Sequence, residues 1–217
     1  DLGNGLTAYY TYNAATGAGT IHYSFTLQGP TSGDHTSKDF SVVVKDADGQ
    51  ASAAGNLHIA IVDDEPVAHA DIASIAAGGT SASGNVITGA GNTNANGADV
   101  QGADGAKITA LTSNNVTGSA AQVDSVTGAI TIVGQYGTLV LQTNGDYVYT
   151  RTSAEGGKTD VFTYTLSDAD GDGKQTTLSI NIGNSTPEIT QLPQPGSDGT
   201  SVNEGGLANG SLHDGTH

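Results

Sequence analysis

Cysteine, methionine and tryptophan are absent from the 217 residues. Without cysteine there is no disulfide framework and no thiolate-held zinc or iron–sulfur centre. With no methionine, even at position 1, the chain is expected to be a piece of a longer polypeptide or a processed product. Basic residues are scarce: six Lys and Arg stand against 22 Asp and Glu, a formal net charge of −16. Nucleic acid is therefore not an expected partner, because its phosphates are held by Lys and Arg. No apolar run nears the roughly 20 residues of a membrane-spanning helix, so membrane insertion is not expected, and no signal-peptide pattern opens the chain. Catalytic signatures are missing too. There is no G-x-S-x-G, HExxH or P-loop, and His22, His35, His58, His69, His213 and His217 form no helical ligand pair. Eight Tyr and three Phe are few for a sugar-binding platform, and no enzyme activity is expected.

What the chain does contain is strand-forming sequence between clusters of Gly, Asn, Asp and Ser. "LTAYYTYN", "TIHYSFTLQ", "KDFSVVVKD" and "NLHIAIVDD" read as strands in the first third. "AKITALTS", "AITIVGQ", "YGTLVLQT", "DYVYTRT", "DVFTYTLSD" and "TLSINIG" follow. All are rich in Val, Ile, Thr and Tyr, as half-buried strands are. Asn144-Gly145 predicts a two-residue type I′ turn pairing residues 137–143 with 146–152. No useful amphipathic helix interrupts the pattern, so the fold class is all-β. These β-branched runs also argue against a disordered acidic chain. A folded chain this acidic resists compaction and gains from bound cations.

An internal repeat organises the strands. "DFSVVVKDADGQASAAGNLHIAIVDDEP" aligns with "VFTYTLSDADGDGKQTTLSINIGNSTP", placing Phe40 on Phe162, Asp46 on Asp168, Asp48 on Asp170 and Pro66 on Pro187. A strand-rich repeat of about 120 residues has the size of a β-sandwich module. The predicted organisation is the C-terminal part of one module, or a small β domain, over 1–66. A whole module follows over 67–187, and a third module or linker begins over 188–217.

The acidic clusters fall on this frame. "DADGDG" sets Asp168, Asp170 and Asp172 on alternate residues, like the opening of an EF-hand loop with Gly173 at the sixth position. The twelfth position is Ser179 where an EF-hand carries Glu, and the flanks are strands, so an EF-hand is excluded. The oxygen chemistry of Ca²⁺ still fits, and the same frame recurs at Asp46 and Asp48. A solvated turn is the alternative, since Asp and Gly are ordinary turn residues. At the first junction Asp63, Asp64 and Glu65 crowd before Pro66, with Asp71 beyond it. Three adjacent acids repel unless a cation sits among them. The second junction reads Asn184, Ser185, Thr186 instead, so calcium there would combine Asp168, Asp170 and Asp172 with Glu188 or Glu204. Asp99 and Asp104, in the long Gly/Asn loop, are further candidate ligands. That loop could also be a plain insertion.

"FSVVVKDADGQASAAGNLHIAIVDDEPVA", "SASGNVITGAG", "QYGTLVLQTNGDYVYT", "DVFTYTLSDADGDG" and "VNEGGLANGS" resemble the tandem repeats of giant type I-secreted RTX adhesins, of the VCBS, cadherin-like or Ig-like kind. The resemblance implies tandem antiparallel Greek-key β-sandwich modules that act as extenders, stiffened by Ca²⁺ outside a bacterial cell. It supports Asp46, Asp48, Asp63 to Glu65, Asp168 to Asp172 and Glu204 as calcium-side residues. It further implies a secreted, cell-surface location in biofilm or host adhesion. The expected partners are neighbouring repeats of the same chain and a host or biofilm surface ligand, with the chain itself a monomer. The glycine-rich nonapeptides of the secretion region are absent. Two other roles stay open: a Ca²⁺-dependent peptide or glycan binder using the "GNTNANGADVQGADG" loop, and a split scaffold that displays another domain.

Overall fold

The computed structural model describes residues 4–16, 18–31, 33, 35–95 and 97–186. Residues Asp1–Asn184 form one compact unit, and Ser185–His217 a second, of which only 185 and 186 are described. Glu188 and Glu204 lie outside the described residues. Among the described residues there are thirteen strands and no helix, hence none that could cross a membrane. The fold is all-β.

The first four strands are β1 (Leu6–Asn13), β2 (Ala18–Phe25), β3 (His35–Val42) and β4 (Gly55–Val62). They pair only as two antiparallel hairpins, β1 with β2 and β3 with β4. The other nine are β5 (Asp71–Ile75), β6 (Ser81–Asn85), β7 (Ala106–Ser113), β8 (Gln122–Val123), β9 (Ile130–Val133), β10 (Gly137–Leu141), β11 (Asp146–Arg151), β12 (Lys158–Asp168) and β13 (Gly173–Ile182). They build a five-stranded sheet, β6-β11-β10-β9-β8, and a four-stranded sheet, β5-β13-β12-β7.

The period-two alternation of side chains makes this a sandwich. In β12, Asp160, Phe162, Tyr164, Leu166 and Asp168 point inward and their neighbours outward. In β10 and β11, Leu139, Leu141, Tyr147 and Tyr149 do the same from the opposite sheet. The apolar members of both sets join one buried cluster with Ile75, Val86, Ile108, Leu111, Ile130, Ile132, Leu178 and Ile180. The Tyr149 and Phe162 rings meet edge to face across the sheets, 6.1 Å apart. Each such side chain, fully removed from water, contributes about 1.5–3 kcal/mol.

The all-β sandwich is as expected, with one parallel pairing, and one expected turn is corrected. Pairing is antiparallel throughout except between β5 and β13, which run parallel from Asp71 beside Leu178 to Ile75 beside Ile182. Parallel neighbours need a long connection, and here the chain between them visits both sheets. The 137–152 hairpin forms as predicted, but its turn is not type I′. Asn144 lacks the positive φ that turn requires, and only Gly145 has one, at 89°. Gln142 and Gly145 close the turn, and Gln142 then pairs with Asp146. This is a three-residue type I turn ending in a glycine bulge.

Candidate metal centre

The β12–β13 hairpin ends in a tight loop. The Asp168 amide donates to the Asp172 carbonyl at 3.2 Å. The Asp168 side chain turns back, its Oδ1 accepting from the amides of Gly171 at 3.0 Å and Asp172 at 2.7 Å. Gly171 takes φ 113°, a region that penalises a side chain. This self-capping fixes Asp168 almost wholly out of solvent, at 5% exposure.

A fourth carboxylate arrives from a distant part of the sequence. Because β5 runs parallel to β13, the residues before Asp71 lie alongside the start of β13. The parallel ladder itself begins at Asp71 beside Leu178. Glu65 accordingly pairs with Lys174, Nζ to Oε2 at 2.5 Å. One carboxylate oxygen from each of Asp63, Asp168, Asp170 and Asp172 lies within 4.8 Å of all the others. Oxygens on opposite sides of a Ca²⁺ ion stand about 4.6–5.2 Å apart, so the cluster has the span of a calcium shell.

The donor inventory separates this cluster from a solvated turn. Asp63 Oδ2, Asp168 Oδ2 and Asp170 Oδ1 are buried, and no protein donor reaches them. Buried carboxylate oxygens without donors are costly, and a hard divalent cation satisfies several at once. Burial, and then the facing Asp170, push the Asp168 carboxyl above its ordinary range. Asp170 is held below it, chiefly because the Gly33 amide donates to its Oδ2 at 2.6 Å.

The other candidates are placed differently. Asp64 is exposed; its carbonyl is where a side chain on Gly102 would collide, at 2.6 Å. That close approach brings the 102–105 turn to the cluster, and Asp104 Oδ2 accepts from the Ala169 amide at 3.2 Å. Asp104 thus supports the loop from outside the four-carboxylate group. Asp46 repeats the self-capping of Asp168, accepting from the amides of Asp48 and Gln50 at 3.1 and 2.8 Å. Asp46 and Asp48 are both exposed, however, and no further described acid completes a group around them. At the position of Asp172 this copy has Gln50.

Glu188 and Glu204, expected to join Asp168, Asp170 and Asp172, lie outside the described residues; among the described ones the loop meets Asp63 of the preceding junction.

Asp71 and Asp99 come together elsewhere, around a buried tyrosine. Tyr164 Oη lies 2.7 Å from Asp71 Oδ2 and 3.0 Å from Asp99 Oδ2. Asn92 Nδ2 donates to Asp71 Oδ1, and the His69 amide to Asp99 Oδ1 at 2.7 Å. One phenolic proton serves only one of the two carboxylates. The other hydrogen bond needs a proton from a carboxyl group, and burial does push Asp71 up to about 7 and Asp99 in the same direction. Both Asp71 oxygens are engaged by protein donors, so the arrangement clasps the 92–99 loop to the start of β5. Asn94 adds to the clasp, accepting from the Ile72 amide and donating to the Ala70 carbonyl.

One carboxylate escaped the sequence reading. Asp160, wholly buried inside β12, accepts from the amides of Gln135 and Tyr136, both at 2.9 Å, and from the Tyr149 hydroxyl at 2.7 Å. Its place in the inward phase of "DVFTYTLSD", two residues before Phe162, was the available signal. No protein-family model matches the chain, and no curated protein matches it with significance.

Proposed function

We propose that the chain is a calcium-stiffened extender segment of a secreted bacterial surface adhesin, acting as a structural rod and not as an enzyme. The observation that carries the proposal is the convergence of Asp63, from the junction ahead of Pro66, with Asp168, Asp170 and Asp172, from the β12–β13 loop. The buried oxygens among them lack protein donors. These four residues would hold Ca²⁺, which adds positive charge to a corner of a strongly acidic chain where Lys174 is engaged with Glu65. Asp168 presents one oxygen to the cluster while its other oxygen stays bonded to the loop amides, so the loop is preshaped. Asp63 ties the chain leaving β4 to the tip of the sandwich. Glu65 with Lys174 and the Gly33 amide on Asp170 reinforce the same seam. A bound ion then fixes the direction in which the first segment leaves the sandwich, which is what an extender requires. Calcium added back to chelator-treated chain is expected to raise the melting temperature and to narrow the distribution of shapes seen by X-ray scattering. A melting temperature and scattering profile indifferent to calcium would remove the basis for the proposal.

A further inference from the structure

A basic residue stands beside the four-carboxylate cluster. On β13, Lys174 belongs to the same alternation as Leu178, Ile180 and Ile182, whose side chains are buried. Across the ladder it faces Leu166, and Asp168 stands two residues further along β12 in the same phase. Diagonal neighbours of this kind lie about 7–8 Å apart, within reach of a long side chain. Asp168 is 5% exposed, and its Oδ2 has no protein donor. By position, Lys174 is the natural counter-ion for that oxygen.

The ammonium goes elsewhere. Lys174 Nζ donates to Glu65 Oε2 at 2.5 Å, and the two side chains stay 44% and 56% exposed. Glu65 acts on it most strongly, followed by the charges of Asp172 and Asp168. Glu65 lies two residues beyond Asp63, and the buried Pro66 that follows biases its backbone to an extended form. Entering the cluster would strip water from the ammonium, a costly step. At Glu65 it keeps part of its hydration. Lys107, which faces Ser167 from β7, is exposed and lies on the alternate phase of the sheet.

We propose that Glu65 is a positioning residue for cation binding: it holds the Lys174 ammonium at the rim and leaves the oxygens of Asp63, Asp168, Asp170 and Asp172 open to a divalent ion. The inference rests on the calcium reading of that cluster. Without Glu65, the lysine turns to Asp168 and Asp172 and becomes an intramolecular rival of calcium, present at high effective concentration. Calcium must then displace it. As a surface ion pair Glu65–Lys174 adds little stability. Its effect is to decide where one positive charge rests.

The test is a double-mutant cycle in the chelator-stripped full chain, read by calorimetric titration of Ca²⁺ and by melting in chelator. Glu65→Gln is expected to weaken calcium binding about tenfold. Lys174→Gln is expected to bind calcium at least as tightly as the parent. In the Lys174→Gln background, Glu65→Gln is expected to cost less than about twofold, because no rival remains. In chelator, Lys174→Gln is expected to lower the melting temperature of the Glu65→Gln chain more than that of the parent, since only there does the ammonium neutralise the cluster. An equal loss of affinity from Glu65→Gln in both backgrounds overturns the inference, because Glu65 would then act through its own charge alone. So does an equal lowering of the two melting temperatures in chelator. Either result leaves the calcium reading standing, whereas a parent chain that binds no calcium overturns both.

Discussion

The loops at Asp46 and at Asp168 share a sequence, a turn and a self-capping carboxylate, yet they present different chemistry. Asp168 is buried beside Asp170, Asp172 and Asp63, with oxygens that no protein donor reaches. Asp46 is exposed, with Gln50 in place of the third acid. The difference teaches that the Asp-Ala-Asp-Gly frame shapes a loop without making a metal centre. Burial and a fourth carboxylate, Asp63 from the segment between β4 and β5, set apart the cluster that could hold a cation.

The largest expected effect sharpens what kind of buried carboxylate is at issue. Asp160 is as buried as Asp168 but fully hydrogen-bonded by protein donors, so Asp160→Ala leaves two amides and a tyrosine hydroxyl without their acceptor. A loss of about 3 kcal/mol is expected, equal in calcium and in chelator, measured by chemical denaturation. Asp168→Asn behaves oppositely. It keeps the Oδ1 acceptor for the loop amides but removes charge from the cluster. The stabilisation of about 2–3 kcal/mol given to the parent chain by calcium at a hundred times its dissociation constant is expected to vanish. In chelator the variant is expected to be at least as stable as the parent, because a repelling charge is gone.

Asp63→Asn tests whether the neighbouring segment belongs to the centre. It is expected to weaken calcium binding about tenfold in an isothermal titration, without altering the loop. Smaller again is the pH response of the Asp71 clasp. Its carboxyl titrates near 7 when folded against an ordinary value of 3.8. The folded state therefore binds the extra proton between those values, and this contribution to stability falls as pH rises through that window. Asp71→Asn is expected to flatten that part of the stability profile in denaturation series from pH 4 to 8. Asp46→Asn is expected to change calcium binding not at all and stability by less than about 0.5 kcal/mol.

Much of this was legible in the sequence because side-chain alternation reports strands directly. The ten strands expected from Val, Ile, Thr and Tyr runs are present, with ends shifted by a few residues. β5, β6 and the two-residue β8 were not legible. Ser81–Asn85 has no side chain larger than Asn and no apolar one beyond Ala82, and it is a strand because β11 offers it a partner. The bulged turn at Gly145 was hidden because Asn-Gly suits two turn types that differ only in which residue carries positive φ. At the centre, alternate spacing exposed Asp168, Asp170 and Asp172. Asp63 was recognisable as an acid at a junction, but its company was not. The parallel register of β5 on β13 decides that, and nothing in a local sequence window encodes a pairing across more than a hundred residues.

The most direct test of the proposed calcium centre is a calorimetric titration of Ca²⁺ into the chelator-stripped full chain, run beside the Asp168→Asn/Asp170→Asn and Asp46→Asn/Asp48→Asn double variants. Binding is expected in the parent, retained in the Asp46/Asp48 variant and lost in the Asp168/Asp170 variant. An unaltered binding isotherm in the Asp168/Asp170 variant, or no binding to the parent chain, would contradict the account.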